Sequence, residues 1–304
     1  MRIVVLGSQG QIGWELCRAL APLGEITALD REPREGASCD LERPDELRRV
    51  LRRLEPQVIA NAAAYTDVDG AEADPERAAR VNAEAPGMLA DEAAKLGAWL
   101  VHYSTDYIFD GSGTTAWRED DEPAPLSVYG ASKWRGECAV RNAGGRHLIL
   151  RTQWLYATRG RNFLRKMLQL AATRDRLQVV ADQTGAPTGA ELVADATAHA
   201  LKLALLRPEL AGTYHVAARG ETTWHGYARW LLAAAREAGW PVRVNDAAIE
   251  PVAASAFKAV ARRPANSRLD VSRLERTFSL QLPDWRVGVT RAVAELAARL
   301  NRES

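Results

Sequence analysis

Cysteine is scarce in this chain: its 304 residues hold three, Cys17, Cys39 and Cys138. Their number is odd and their spacings match no metal-ligand pattern, so neither a disulfide framework nor a zinc site is expected. Net charge is lacking too. Forty Lys and Arg face 39 Asp and Glu, and the resulting +1 supplies no global field to gather nucleic acid or an anionic membrane. Arg48, Arg49, Arg52 and Arg53 do cluster, but Glu42, Asp45, Glu46 and Glu55 are interspersed with them, which reads as a solvated helix face. Long apolar runs are missing as well. Ile3–Leu6 is broken at once by Gly7 and is too short for a signal-peptide core, and no later stretch approaches the roughly 20 apolar residues of a bilayer span. The expectation is a cytoplasmic protein that binds neither nucleic acid nor membrane. No fixed-period repeat and no low-complexity segment occurs.

What the chain does have is apolar material, 47% of its residues, enough for a full-sized core. Residues 2–6 read as a short buried strand, and residues 11–21 carry helical periodicity through Ile12, Leu16 and Leu20. A second strand at about residues 25–30 ends in Asp30. Pro44 then stands where a first helical turn begins, before Glu46–Leu54. Strands at 57–61, 99–103 and 147–151 alternate with helices at about 75–96 and 128–142. This alternation predicts an α/β fold, a Rossmann-like doubly wound parallel sheet covered on both faces. Beyond Thr152 the rhythm changes. Gly185, Pro187, Pro251, Pro264 and Pro283 separate the helices, and Trp recurs at 224, 230, 240 and 285. Residues 1–151 are read as a nucleotide-binding domain and 152–304 as a smaller, mainly substrate-binding lobe with segments that can return to the first. Such a lobe would roof the crevice at the carboxyl ends of the strands.

Gly7, Gly10 and Gly13 stand at three-residue spacing between the first strand and the first helix. Backbone there must approach a pyrophosphate closely, and the helix N-terminus that opens with Gln11 and Ile12 offers free N–H groups and a favourable dipole. A glycine trio alone is a weak signal. Its context is demanding and is met: a strand before, a helix after, and Asp30 about twenty residues on. Asp30 suits a ribose diol and repels a 2′-phosphate, which favours NADH, while Arg31 beside it suits that phosphate, so NADH and NADPH both stay open. Asp40 and Leu41 flank the adenine on this reading, with a helix-entry carboxylate as the alternative for Asp40. Ala62, Ala63 and Ala64 follow the third strand with small side chains that leave room for a cofactor or permit tight packing.

Tyr129 and Lys133 lie four residues apart, so a phenol and an ammonium project from one helix face. A neighbouring cation is expected to draw the phenol's pKa down, making the pair an acid/base device. Together with the glycine trio and the strand ending Tyr103-Ser104-Thr105, the Tyr-x-x-x-Lys spacing resembles the extended short-chain dehydrogenase/reductase superfamily. Longer stretches resemble one family within it, the dTDP-4-dehydrorhamnose reductases: Asn61–Thr66, His102–Phe109, Leu148–Trp154, Asp182–Thr188 and Arg263–Leu269.

That resemblance implies reduction of the C4 ketone of dTDP-4-dehydro-β-L-rhamnose by NAD(P)H, the last step of dTDP-L-rhamnose synthesis. Tyr129 would deliver a proton to the developing alkoxide, Lys133 would hold the nicotinamide ribose, and the Thr105 hydroxyl would bond the same sugar oxygen. For the dTDP-sugar it points to Ser104, Thr105, Asp106, Tyr129 and Trp154, with Trp154 as a flat wall or, alternatively, a core aromatic. Arg263 and Arg268 would meet the diphosphate or pair with surface carboxylates. The family also implies a structural magnesium ion bridging the subunits of a homodimer through Glu15, Glu191 and Glu295, residues that otherwise read as solvated charges. Two competing readings are a combined epimerase/reductase resembling GDP-fucose synthase and a non-catalytic regulator resembling the regulatory subunit of methionine adenosyltransferase. The first uses a Cys after the fourth strand, where this chain has Asp106. The second is opposed by the intact Thr105, Tyr129 and Lys133.

Overall fold

The computed structural model describes residues 1–32 and 39–303. In chain order the first half runs β1 (Arg2–Leu6), α1 (Gln11–Leu20), β2 (Glu25–Leu29), α2 (Pro44–Leu54), β3 (Val58–Asn61), α3 (Val68–Ala73), α4 (Pro75–Ala79), α5 (Ala85–Leu96), β4 (Trp99–Thr105), α6 (Val128–Asn142) and β5 (His147–Thr152). The second half adds β6 (Leu155–Tyr156), α7 (Phe163–Thr173), β7 (Leu177–Val180), β8 (Thr184–Gly185), β9 (Thr188–Gly189), α8 (Ala190–Leu206) and β10 (Gly212–His215). It finishes with β11 (Thr222–Thr223), α9 (Trp224–Glu237), β12 (Ile249–Val252), α10 (Ser272–Phe278) and α11 (Trp285–Glu303).

Six strands form one parallel sheet in the order β10-β5-β4-β3-β1-β2. Successive side chains of a strand point to opposite faces, and both faces here are apolar, so two cores result. Ile3, Val5, Val58, Val101 and Leu148 meet Leu16 and Leu20 of α1 and Ala194 and Leu201 of α8. Val4, Leu6, Ile59, Leu100 and Ile149 meet Leu47 and Leu51 of α2, Leu89 of α5 and Val140 of α6. A third core, built from Leu164, Leu168, Val179, Tyr227, Leu231, Trp285 and Val289, belongs to the C-terminal elements. Two elements from beyond residue 151 return to the sheet: α8 covers a face and β10 extends the edge beside β5.

The helix expected at about residues 75–96 is present with a difference. Residues Arg80–Glu84 wind as a π-turn between α4 and α5, next to Pro86, whose missing N–H removes one ordinary helical bond. Asn82 inside this turn is buried. Its amide oxygen accepts from the Tyr65 N–H at 2.9 Å, and its amide nitrogen donates to the Tyr65 carbonyl at 2.9 Å and to Ser132 Oγ at 3.1 Å. The irregularity thus ties the segment after β3 to α6. A short helix at Val68–Ala73 was not foreseen; it is six residues long and capped by Asp67, whose side chain accepts from the Gly70 N–H at 2.9 Å.

Candidate active site

The carboxyl ends of β1, β3 and β4, where the strand order reverses, open into a cleft of about 760 Å³. Its floor at one end is the turn between β1 and α1. Gly7 adopts φ +77°, and a Cβ there would lie 2.8 Å from the Ala63 nitrogen. Gly13 is tighter still: a Cβ would lie 2.1 Å from the Gly7 carbonyl oxygen. Both positions therefore demand glycine, one for its dihedral angle and one for the closeness of helix to turn. Gly10, Gln11, Ile12, Asp30, Asp40, Leu41, Ala62, Ala63 and Ala64 line the same cleft. Gln11 Oε1 accepts a bond from Asn162 Nδ2 at 2.8 Å, which holds the segment before α7 across the cofactor end.

Asp30 Oδ2 accepts the Gln9 N–H and Oδ1 the Arg31 N–H, each at 2.8 Å, so the carboxylate braces the glycine turn as well as facing the cleft. Asp40 lines the cleft and accepts the Glu42 N–H at 3.0 Å, but it does not cap α2, whose N-cap position is Arg43 with no side-chain cap. This cradle of glycine backbone, a free helix N-terminus and an acidic residue just after β2 fits a dinucleotide.

At the other end stand Ser104, Thr105, Asp106, Tyr129, Lys133 and Trp154. Ser127 caps α6 by accepting the Gly130 N–H at 3.1 Å, which starts the helix immediately before Tyr129. The Tyr129 phenol and the Thr105 hydroxyl line the same end of the cleft. Burial pushes Tyr129 up to about 12, with Thr105 pulling the other way. Lys133 does not draw the phenol down as its spacing suggested. Its ammonium is buried and donates instead to the Tyr103 carbonyl at 2.6 Å. Burial brings Lys133 down to about 8, and the Glu137 carboxylate on the same helix opposes that shift.

Asp106 is buried, and burial lifts its carboxyl to about 7 against the pull of the Ser267 and Thr105 hydroxyls. Thr105 Oγ1 donates to its Oδ1 at 3.2 Å, and Oδ2 is buried with no hydrogen-bond partner. The Ser104 hydroxyl is likewise buried and without a partner. Unsatisfied polar atoms at the floor of a cleft are suited to a polar ligand. Trp154 takes the left-handed conformation, φ 43°, and stacks on Trp224 with ring centroids 3.7 Å apart and planes at 14°. It is half-buried: packed on one side against Trp224, it still lines the cleft.

Arg263 and Arg268 are held elsewhere. Arg263 Nη2 donates to Asp69 Oδ2 at 2.7 Å, and Arg268 Nε donates to Glu221 Oε2 at 2.6 Å; neither lines the cleft. Arg77 and Arg161, which sequence reasoning missed, do line it. They come from segments with no recognisable motif. Tyr107 was also missed; its ring meets that of Tyr129 edge-on at 5.6 Å.

Glu15, Glu191 and Glu295 gather along a second cleft between α1, α8 and α11. Each is neutralised within the chain. Arg18 meets Glu15 at 3.0 Å, Arg291 meets Glu191 at 2.6 Å, and Arg299 pairs with Glu295. Among the described residues no group of three His, Cys, Asp or Glu side chains is placed to hold a metal ion. These glutamates do not fit a magnesium site within one chain.

Residues 1–298 match the family model of the RmlD substrate binding domain. The chain belongs to that family. Among its relatives, the dTDP-4-dehydrorhamnose reductase of Escherichia coli (strain K12) is 47% identical over 296 residues, spanning 97% of this chain and 98% of the relative. The dTDP-4-dehydrorhamnose reductase of Burkholderia thailandensis is 45% identical, spanning 98% of this chain and all of the relative. A crystal structure of dTDP-4-dehydrorhamnose reductase from Bacillus anthracis in complex with NADP superposes with a TM-score of 0.86 at 33% identity, covering 97% of this chain and 99% of that one. The RmlD match runs through both halves of the chain, so the family accounts for the C-terminal lobe as well as the sheet.

Proposed function

We propose that this chain is an NAD(P)H-dependent dTDP-4-dehydrorhamnose reductase that converts dTDP-4-dehydro-β-L-rhamnose to dTDP-L-rhamnose. The observation that carries this reading is the convergence of Thr105, Tyr129 and Lys133 in one cleft with the glycine turn, in a chain 47% identical to a dTDP-4-dehydrorhamnose reductase over 97% of its length. The bound NAD(P)H supplies a hydride to the ketone carbon, and the chain's own residues position the ketone and move the proton. The Tyr129 phenol, protonated throughout the neutral range, gives its proton to the ketone oxygen as negative charge builds there. The Thr105 hydroxyl, at the end of β4 in the same cleft, donates to the same oxygen. Lys133 exchanges its bond to the Tyr103 carbonyl for the nicotinamide ribose, which brings a positive charge beside the proton donor.

Gly7, Gly10, Gly13, Gln11 and Ile12 hold the pyrophosphate, Asp30 the adenosine ribose, and Asp40 and Leu41 the adenine side. Ser104, Asp106 and Trp154 face the sugar. Arg263, paired with Asp69 of α3, and Arg268, paired with Glu221, are read as ion-pair residues joining segments of the fold. Residues 1–151 form the nucleotide-binding domain, extended by α8 and β10, and the rest forms the substrate lobe. The reading includes a cytoplasmic enzyme, in keeping with the absence among the described residues of any helix long and apolar enough to cross a membrane. It also includes a homodimer, supported by the mixed Arg and Glu face of α1, α8 and α11 around the half-exposed Trp14, a surface able to complement its own copy.

The test is oxidation of NADH and NADPH, followed at the nicotinamide absorbance, with dTDP-4-dehydro-β-L-rhamnose and with a 4-keto-6-deoxyglucose nucleotide. Turnover confined to the first, with dTDP-L-rhamnose as product, is expected. Cofactor binding without turnover on either would overturn the assignment.

A further inference from the structure

Glu137 lies one turn beyond Lys133 and two beyond Tyr129 on α6, so the three side chains share a face. It is fully buried. Arg151 of β5, itself buried, grips it with two bonds, Nε to Oε1 at 2.9 Å and Nη2 to Oε2 at 2.7 Å. Arg141 adds a third at 3.1 Å. Arg151 in turn donates to the Glu119 carbonyl at 3.0 Å and lies over the Phe109 ring at 5.4 Å. One residue further along β5, Thr152 lines the cleft. Burying such a pair carries a desolvation cost that an apolar pair of similar volume avoids, so holding a helix against a strand is not a sufficient reason for it.

We propose that the Glu137–Arg151 pair is a positioning device for the reduction: it clamps α6 to β5 and plants a fixed negative charge one turn behind Lys133, keeping that ammonium charged and aligned with Tyr129. This rests on the assignment of Tyr129 and Lys133 as the proton-delivering pair. Other groups around Lys133 do not supply that charge. On β4, burial keeps His102 neutral, its pKa driven well below the usual imidazole value, and the Asp106 carboxyl beyond it faces the Thr105 hydroxyl, with Glu137 the carboxylate that acts on Lys133. Tyr103 offers its carbonyl, and Tyr129 is protonated. On the helices packed against α6, Glu72 accepts the Val128 N–H, Glu92 is paired with Arg52 and Lys95, and Arg77 and Arg80 are spent on Glu42.

The experiment measures kcat for dTDP-4-dehydrorhamnose reduction from pH 6 to 10, with cofactor Kd in parallel, for the wild type, Glu137→Gln, Arg151→Met, the Glu137→Gln/Arg151→Met double variant and Tyr129→Phe. Glu137→Gln is expected to move the alkaline fall in kcat about one pH unit toward acid, close to tenfold lower turnover on the alkaline limb. Arg151→Met leaves the negative charge without its strong partner and is expected to move the same limb the other way. The double variant loses both charges, so its alkaline limb is expected between those of the two single variants, and Arg151→Met reads the effect from the other side where Glu137→Gln folds poorly. An alkaline limb that stays at the wild-type position in every folded single variant would overturn the proposal and reduce the pair to a structural clamp. A Tyr129→Phe enzyme that still turns over at the wild-type rate would sink the underlying assignment instead.

Discussion

The Asp30 carboxylate, at the end of β2, accepts the backbone N–H of Gln9 in the glycine turn at 2.8 Å. One residue thus braces the glycine turn and also lines the cleft. Asp30→Ala is expected to shift preference from NADH toward NADPH and to weaken both by loosening the turn. The ratio of kcat/KM for the two cofactors reads the first effect and NADH affinity the second; an unchanged ratio means the carboxylate does not contact the ribose.

Tyr129→Phe removes the proton donor while keeping the ring that meets Tyr107 edge-on. Reduction should fall by about 10²-fold or more, the usual scale of a lost general acid, with NADH affinity nearly unchanged. Undiminished turnover would remove Tyr129 from the chemistry.

Gly13→Ala places a Cβ 2.1 Å from the Gly7 carbonyl oxygen, a backbone atom that cannot swing aside. The turn must open, and NADH affinity measured by fluorescence titration should weaken by about tenfold or more, equivalent to about 1.4 kcal/mol of binding. Wild-type affinity in a folded Gly13→Ala protein would show that the turn does not hold the pyrophosphate.

Asp106 has a carboxyl lifted to about 7 by burial, so it carries its proton below that pH and loses it above. A neutral carboxyl can donate to a sugar hydroxyl and an ionised one cannot. The expected result is a step down in kcat/KM for the sugar nucleotide as pH rises through 7, absent in Asp106→Asn, whose amide donates at every pH. A step of the same size in both enzymes would assign it to another group.

The sheet was legible because its signals are local. Short apolar strands, the Gly7-Gly10-Gly13 spacing and Pro44 at the head of α2 each act within a few residues, and α6 runs over Val128–Asn142, the span that the sequence pattern predicts. The π-turn at Arg80–Glu84 was not legible, since Ala-rich sequence suits a regular helix and the departure serves contacts with Tyr65 and Ser132 across the fold. The six-residue α3 is too short to show a period. Within the cleft, Tyr129 and Lys133 were found through their four-residue spacing, whereas Arg77 and Arg161 belong to no spacing rule and arrive only when distant segments pack.

Sequence alone determined the α/β class, the dinucleotide turn, the Tyr129/Lys133 pair and the family, because these rest on residue identity and short-range periodicity. Tertiary structure decided how the charges are spent. It gave Arg151 to Glu137 across 14 residues, Arg263 to Asp69 across 194, and the Lys133 ammonium to the Tyr103 carbonyl across 30. It also set Asp106 near neutrality through burial. A charge has no periodicity; its partner and its protonation follow from which surfaces the fold brings together and how far it removes them from water.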